Sequence, residues 1–197
     1  MKFIKTTFLI AIIVLLNSGC YASMSGTVVD AETGKPIEGA VVLVNWTITK
    51  GVPGLTYGED YKTVEEVTNK EGKFRIFAVL NPMVNPPTIV IYKKGYVAWR
   101  NDFIFPDYKK REDFQWTSNQ VFRMERFKKI YSHYKHIFFF SSSLSLDTSS
   151  KLYQAYIWED LLSSKEEDIL RKKIKTLKPG EKEDRIWNEI IQELYLE

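Results

Sequence analysis

Between Ala40 and Ile48 the chain places Ala40, Val42, Val44, Trp46 and Ile48 on one face of an extended strand and Val41, Leu43, Asn45 and Thr47 on the other. Side chains of a strand point alternately to its two faces, so a run that is apolar on both cannot sit at a wet edge. It reads as a central strand, covered along much of both sides, and the rest of the fold has to supply that cover.

The neighbouring segments supply more strands. Ser25–Asp30 reads as a short strand that runs into the turn Ala31-Glu32-Thr33-Gly34-Lys35-Pro36, where Gly34 permits a positive φ and Pro36 favours an extended neighbour. Val64–Thr68 and Lys73–Ala78 flank Asn69-Lys70-Glu71-Gly72, and Thr88–Tyr92 and Tyr96–Trp99 flank Lys93-Lys94-Gly95; both patterns predict hairpins. Gln120–Met124 is a further strand. Short strands separated by turn signals, without helical periodicity, predict an antiparallel β-sandwich over residues 23–127.

Beyond Phe127 the periodicity changes. Ser132 is placed to cap a short helix running through Phe140. Leu152, Tyr153, Tyr156, Ile157 and Leu161 recur at helical spacing after Thr148-Ser149-Ser150. Ser164-Lys165-Glu166-Glu167 has capping-box spacing, which predicts a fresh helix from there to Leu177, ahead of Pro179-Gly180. Ile186, Trp187, Ile190, Ile191 and Leu194 predict a last amphipathic helix. Residues 128–197 are therefore expected to form a helical extension.

The first 22 residues have another purpose. Lys2 and Lys5 precede the apolar run Phe8–Leu16 and the small polar stretch Asn17-Ser18-Gly19, the order of a secretory signal peptide. The run is shorter than the ~20 residues of a bilayer-spanning helix. Leu16-Asn17-Ser18-Gly19-Cys20 resembles a bacterial lipobox, which implies a diacylglycerol thioether on Cys20; the usual Leu three residues before the cysteine is Asn17 here. The alternative is ordinary cleavage after Ala22, which releases a soluble periplasmic or secreted product. Cys20 is the one cysteine in the sequence, so an exported product has no internal disulfide to form. Tyr21 follows it in place of an Asp that would suggest inner-membrane retention, so the expected destination is the outer membrane, facing the periplasm.

Removing the two leader lysines takes the formal net charge from +3 to +1, which excludes a bulk electrostatic case for nucleic acid. With 44% hydrophobic and 27% charged residues, the chain has the composition of a globular protein.

Ser25-Gly26-Thr27-Val28-Val29-Asp30, Thr33-Gly34-Lys35-Pro36-Ile37 and Gly39-Ala40-Val41-Val42-Leu43, taken in order, resemble the opening of the carboxypeptidase regulatory-like domain. Thr68-Asn69-Lys70-Glu71-Gly72-Lys73-Phe74 is similar to that family's hairpin, with Asn69 where Asp is usual, and Lys94-Gly95-Tyr96 to its Gly-Tyr corner. The resemblance spans about eighty residues. It implies a mainly β fold, a transthyretin- or Ig-like antiparallel sandwich, here followed by a C-terminal helical segment. It also implies a structural or binding module, since such domains accompany metallocarboxypeptidases, transporters and surface proteins without catalysis of their own. Thr49–Tyr61, rich in Gly, Pro and Tyr, departs from the family pattern and is where the individuality of this sandwich is expected.

Candidate chemistry is sparse. A zinc carboxypeptidase needs a closely spaced His and Glu with a distant His; the two histidines here, His133 and His136, lack the Glu three residues on. At i and i+3 they share one helical face, which makes them weak metal candidates, and the competing expectation is that they hydrogen-bond where the helices meet the sandwich. Tyr57, Tyr61, Trp99 and Trp116, with Asp60 and Asp102 nearby, are the candidate aromatic platform for a sugar or peptide; the competing expectation is packing of the sandwich against the helices. The expectation as a whole is a non-catalytic structural or binding module of the cell envelope, without a cofactor, held to the membrane by a lipid anchor and meeting an envelope protein or glycan. The rival readings are a periplasmic carbohydrate- or peptide-binding protein and a metal-dependent enzyme using His133 and His136.

Overall fold

The computed structural model describes residues 23–142, 144 and 146–174. The leader, Cys20 and the helix expected over 186–194 lie outside these residues. Nine strands come first: β1 (Met24–Asp30), β2 (Val41–Val52), β3 (Leu55–Val67), β4 (Lys73–Ile76), β5 (Thr88–Tyr92), β6 (Trp99–Arg100), β7 (Phe103–Ile104), β8 (Lys109–Lys110) and β9 (Gln120–Met124). Two helices follow, α1 (His133–Ser141) and α2 (Lys151–Ile174).

Two sheets, ordered β4-β1-β9 and β3-β2-β5-β6, face each other, and the helices cover the outer face of the second. The both-sided pattern of β2 is thereby explained. Val42, Val44 and Trp46 enter the core between the sheets with Met24, Val28, Phe74, Phe122 and Met124. Leu43 faces the helices, in a second core with Val90, Tyr92, Ile137, Phe139, Phe140 and Leu152. β5 divides its side chains in the same way, Ile89 and Ile91 to one core and Val90 and Tyr92 to the other. Each fully buried Leu, Ile or Phe contributes about 1.5–3 kcal/mol.

The strands depart from the sequence reading at three points. Val64–Thr68 and Lys73–Ala78 do not form a hairpin: β3 pairs with β2, whereas β4 pairs with β1 in the opposite sheet. The turn between them closes locally, through Asn69 Oδ1 and the Gly72 N–H, and then carries the chain across the sandwich. Thr68 fixes the crossing, because its hydroxyl donates to the Ile37 carbonyl and accepts from the Ala40 N–H. The second expected hairpin does form, but its return strand begins only at Trp99; Tyr96 bridges instead to Arg126. β9 runs parallel to β1, the exception to antiparallel pairing in the two facing sheets. The Thr49–Tyr61 segment is regular structure, the outer half of a long β2–β3 hairpin.

The helices differ in one respect from expectation. Ser132 caps α1, as the sequence pattern predicts, with its hydroxyl accepting from the Lys135 N–H. The break at Ser164 is absent, and α2 runs unbroken through it. The capping-box glutamate Glu167 pairs forward with Arg171, and its neighbour Glu166 reaches across to α1, so neither turns back to start a helix.

Asp30, at the end of β1, is buried and holds the turn that follows. It accepts from the Glu32 and Thr33 N–H groups, from Tyr96 Oη at 3.0 Å and from Arg126 Nε at 2.8 Å. The Thr33 N–H, with Arg126 and Tyr96, keeps its carboxyl well below the usual carboxylate range, against the opposing effect of burial.

Candidate functional site

A cluster of buried polar groups lies at the joint between helices and sandwich. α1 is a nine-residue helix whose buried side chains include His133, His136, Ile137, Phe139 and Phe140. The i, i+3 spacing brings both imidazoles to the face that meets α2. There Glu159, 1% exposed, points at them from α2. His136 Nδ1 lies 3.1 Å from Glu159 Oε1, and His133 Nδ1 is in short contact with Oε2. Tyr92, from β5, donates its hydroxyl to Oε1 at 2.9 Å. One carboxylate therefore ties together two helices and a sheet strand.

The protonation of His136 follows from its partners. The Ala98 N–H donates to Nε2 at 2.8 Å, so Nε2 carries no proton and Nδ1–H is the group directed at Glu159. His136 is thus a neutral imidazole with both nitrogens engaged, and it is 0% exposed. Burial penalises the charge on Glu159, but hydrogen bonds from His133 and His136 outweigh it and hold the carboxyl at about 2. Burial, with the adjacent Glu159 charge, pushes the Tyr92 phenol far up. Phe127 stacks on His133 at 4.5 Å between ring centroids, and Phe105 and Phe140 lie edge-on to His136. The aromatic walls keep water from the ion.

A second carboxylate lies just beyond. Glu166 accepts the His133 N–H at 3.0 Å and the Ser132 hydroxyl at 3.1 Å, capping α1 from α2. Burial raises its pKa, and these same donors oppose the rise. Glu65 on β3 does the same for α2, taking the Lys151 and Leu152 N–H groups at 3.0 and 2.9 Å. Arg100, 1% exposed, closes the other end of α1: it donates to the Phe139 and Ser142 carbonyls and forms a two-pronged pair with Asp102.

The chain's two histidines are thus part of the joint. Among the described residues no group of three or more His, Cys, Asp or Glu side chains has a geometry suited to a metal ion. The four candidate platform aromatics fall into two settings. Tyr57 and Tyr61 are exposed on the β2–β3 hairpin. Trp99 and Trp116 are half-buried against the inter-sheet core, where Trp116 meets Trp46 edge-on and Trp99 meets Phe114 and Phe122. Asp102 is bound to Arg100, and Asp60 accepts from Asn45 Nδ2 at 2.8 Å. An open, polar cleft of about 590 Å³ lies between β3 and the residues before α2, lined by Asp60, Thr63, Glu65, Asp147 and Ser149. The spacing of His133 and His136 signalled the cluster; Glu159, Tyr92 and Arg100 gave no comparable signal, since their partners are distant in sequence.

No family model matches the chain. No curated protein matches it either. A solved structure similar to part of it is the C-terminal domain of the shaft pilin spaA from Lactobacillus rhamnosus GG, at 13% identity and a TM-score of 0.31, covering 54% of this chain and 98% of that one.

Proposed function

We propose that this chain is a non-catalytic structural or binding module of the bacterial cell envelope, a β-sandwich braced by helices and tethered by a lipid on Cys20. The observation that carries the non-catalytic part is the sealed joint. The histidines, the groups best suited to acid–base work near neutral pH, are buried, and Glu159 is consumed in holding α1 and α2 to β5. A general acid or base has to reach its substrate's proton within hydrogen-bond distance, and these groups are enclosed by Phe105, Phe127 and Phe140. The tether rests on the leader sequence and on Leu16-Asn17-Ser18-Gly19-Cys20. The resemblance of residues 25–96 to carboxypeptidase regulatory-like domains agrees with a module of this kind.

Intact mass and N-terminal peptide mapping test the tether, on protein made in a Gram-negative host with and without an inhibitor of lipoprotein signal peptidase. The expected product begins at an acylated Cys20 and disappears with the inhibitor. A lipid-free chain beginning at Ser23 overturns it.

The β2–β3 hairpin supports a second reading, recognition of a glycan or peptide through Tyr57 and Tyr61, which the fold displays to solvent. Glycan-array and peptide binding that survives Tyr57→Ala and Tyr61→Ala would remove that reading.

A further inference from the structure

At the end of the sandwich where β1 begins, the loop from Phe77 to Pro87 turns large apolar side chains outward. Phe77 is 69% exposed, and Leu80 and Met83 are each 77% exposed. The loop itself is held in place. Val79 and Val84 are buried in the inter-sheet core, Val84 bridges to Ile48, and the Asn85 N–H donates to the Thr47 carbonyl at 2.8 Å. Its outward residues are thus presented by an anchored backbone. An apolar display of this kind in water marks a surface that something covers.

The path of the chain indicates what covers it. Met24 pairs with Ile76, so Ser23 leaves the fold beside Phe77, and Arg75 donates to the Ser23 hydroxyl. Cys20 is three residues upstream of Ser23, a stretch of chain that spans at most about 11 Å. The β2–β3 hairpin extends past the same end of the sheet, beyond the pairing of Asn45 with Thr88, and carries Val52 and Leu55 exposed at its tip. A lipid on Cys20 would bring this end of the sandwich to the bilayer.

We propose that the Phe77–Met83 loop is a lipid-contacting surface, inserting Phe77, Leu80 and Met83 into the interfacial layer of the bilayer that holds the Cys20 anchor. The proposal rests on the lipid-anchor reading of Cys20. Apolar side chains presented on a folded surface bind the headgroup–acyl boundary in proportion to the area they bury, and a covalent anchor keeps them within reach of it. Anchor and loop together fix which end of the sandwich faces the membrane, leaving the Asn69–Gly72 turn at the far end.

The test uses the full chain with Leu80→Cys, and separately Met83→Cys, purified from a Gram-negative host and labelled with an environment-sensitive nitrobenzoxadiazole. Acylation caps the Cys20 sulfur, so the label reports the loop alone, and intact mass shows whether acylation occurred. Lys70→Cys, in the far turn, is the reference. In phosphatidylethanolamine–phosphatidylglycerol vesicles, the expected result is a blue-shifted, several-fold brighter signal at positions 80 and 83, quenched by spin-labelled lipid, with position 70 unchanged. Labels at 80 and 83 that behave like position 70 on an acylated chain overturn the proposal. If the mass shows no acylation, the anchor reading fails by that measurement alone. The loop is then judged in the same vesicles on chains with Cys20→Ser: a shifted signal supports lipid contact, and a water-like signal overturns it.

Discussion

Replacing Glu159 with Gln keeps the volume of the side chain and removes the charge on which the joint is built. The wild-type carboxyl sits at about 2 against an ordinary value of 4.5, which corresponds to about 3 kcal/mol of stabilisation at neutral pH. The direction of the pH dependence follows from the depressed value. The contribution is complete above pH 4.5 and is lost as pH falls towards 2, because the unfolded chain takes up the proton first. At pH 3 about 1 kcal/mol of it should remain. Asp30 titrates in the same acid range and Glu166 in the opposite sense, so the quantity to follow is the difference between wild type and variant. Urea unfolding of both proteins at pH 7, 5, 4 and 3 measures it. The expected difference is about 3 kcal/mol at pH 7, shrinking to about 1 kcal/mol at pH 3. A difference below about 1 kcal/mol at pH 7, or one that does not change with pH, would refute the assignment of Glu159 as the charged tie of the joint.

Three further outcomes follow from other contacts. Arg100→Ala should cost about 1–3 kcal/mol in urea unfolding, because it leaves the Phe139 and Ser142 carbonyls at the end of α1 without their buried donor. Gly26→Ala places a Cβ 2.4 Å from Phe122 Cε2 and 2.9 Å from Phe74 Cε1, and should lower stability by about 1–3 kcal/mol through overpacking, read as a lower thermal midpoint. Glu65→Ala uncaps α2 at a cost of about 1 kcal/mol, and amide exchange at Lys151 and Leu152 should quicken while α1 keeps its protection.

The sequence carried the layered architecture more clearly than the site. β2 is legible because the strand is apolar on both faces, and that pattern has one physical solution: cover on both sides. The arch between β3 and β4 was not legible, since a hairpin and a sheet-crossing turn use the same Asn and Gly chemistry, and the choice is made by Thr68 bonding residues some thirty positions earlier. The run through Ser164 misled for a related reason: a capping box starts a helix only when its glutamate turns back, and here Glu167 is claimed by Arg171 while Glu166 is claimed by α1. The histidine pair was visible as spacing. Its place where the helices meet the sandwich was legible as well, but the carboxylate and phenol that complete it were not, because they come from other elements, at positions that local periodicity assigns to ordinary helix and strand.

The parallel pairing of β1 with β9 has a consequence for how such a chain reaches its native state. Contacts such as that between Ser25 and Asn119 join residues 94 positions apart, and β1 is the middle strand of its sheet. A chain emerging from its N-terminus can pair β1 with β4 early, but the other edge of β1 stays open until β9 is free to join it. Non-local closure of this kind is slow, because loop entropy is lost before any contact repays it. The sandwich therefore completes only after β9 has emerged, so that closure of the open edge of β1 is among the last events of folding and that edge is the part most in need of protection from aggregation.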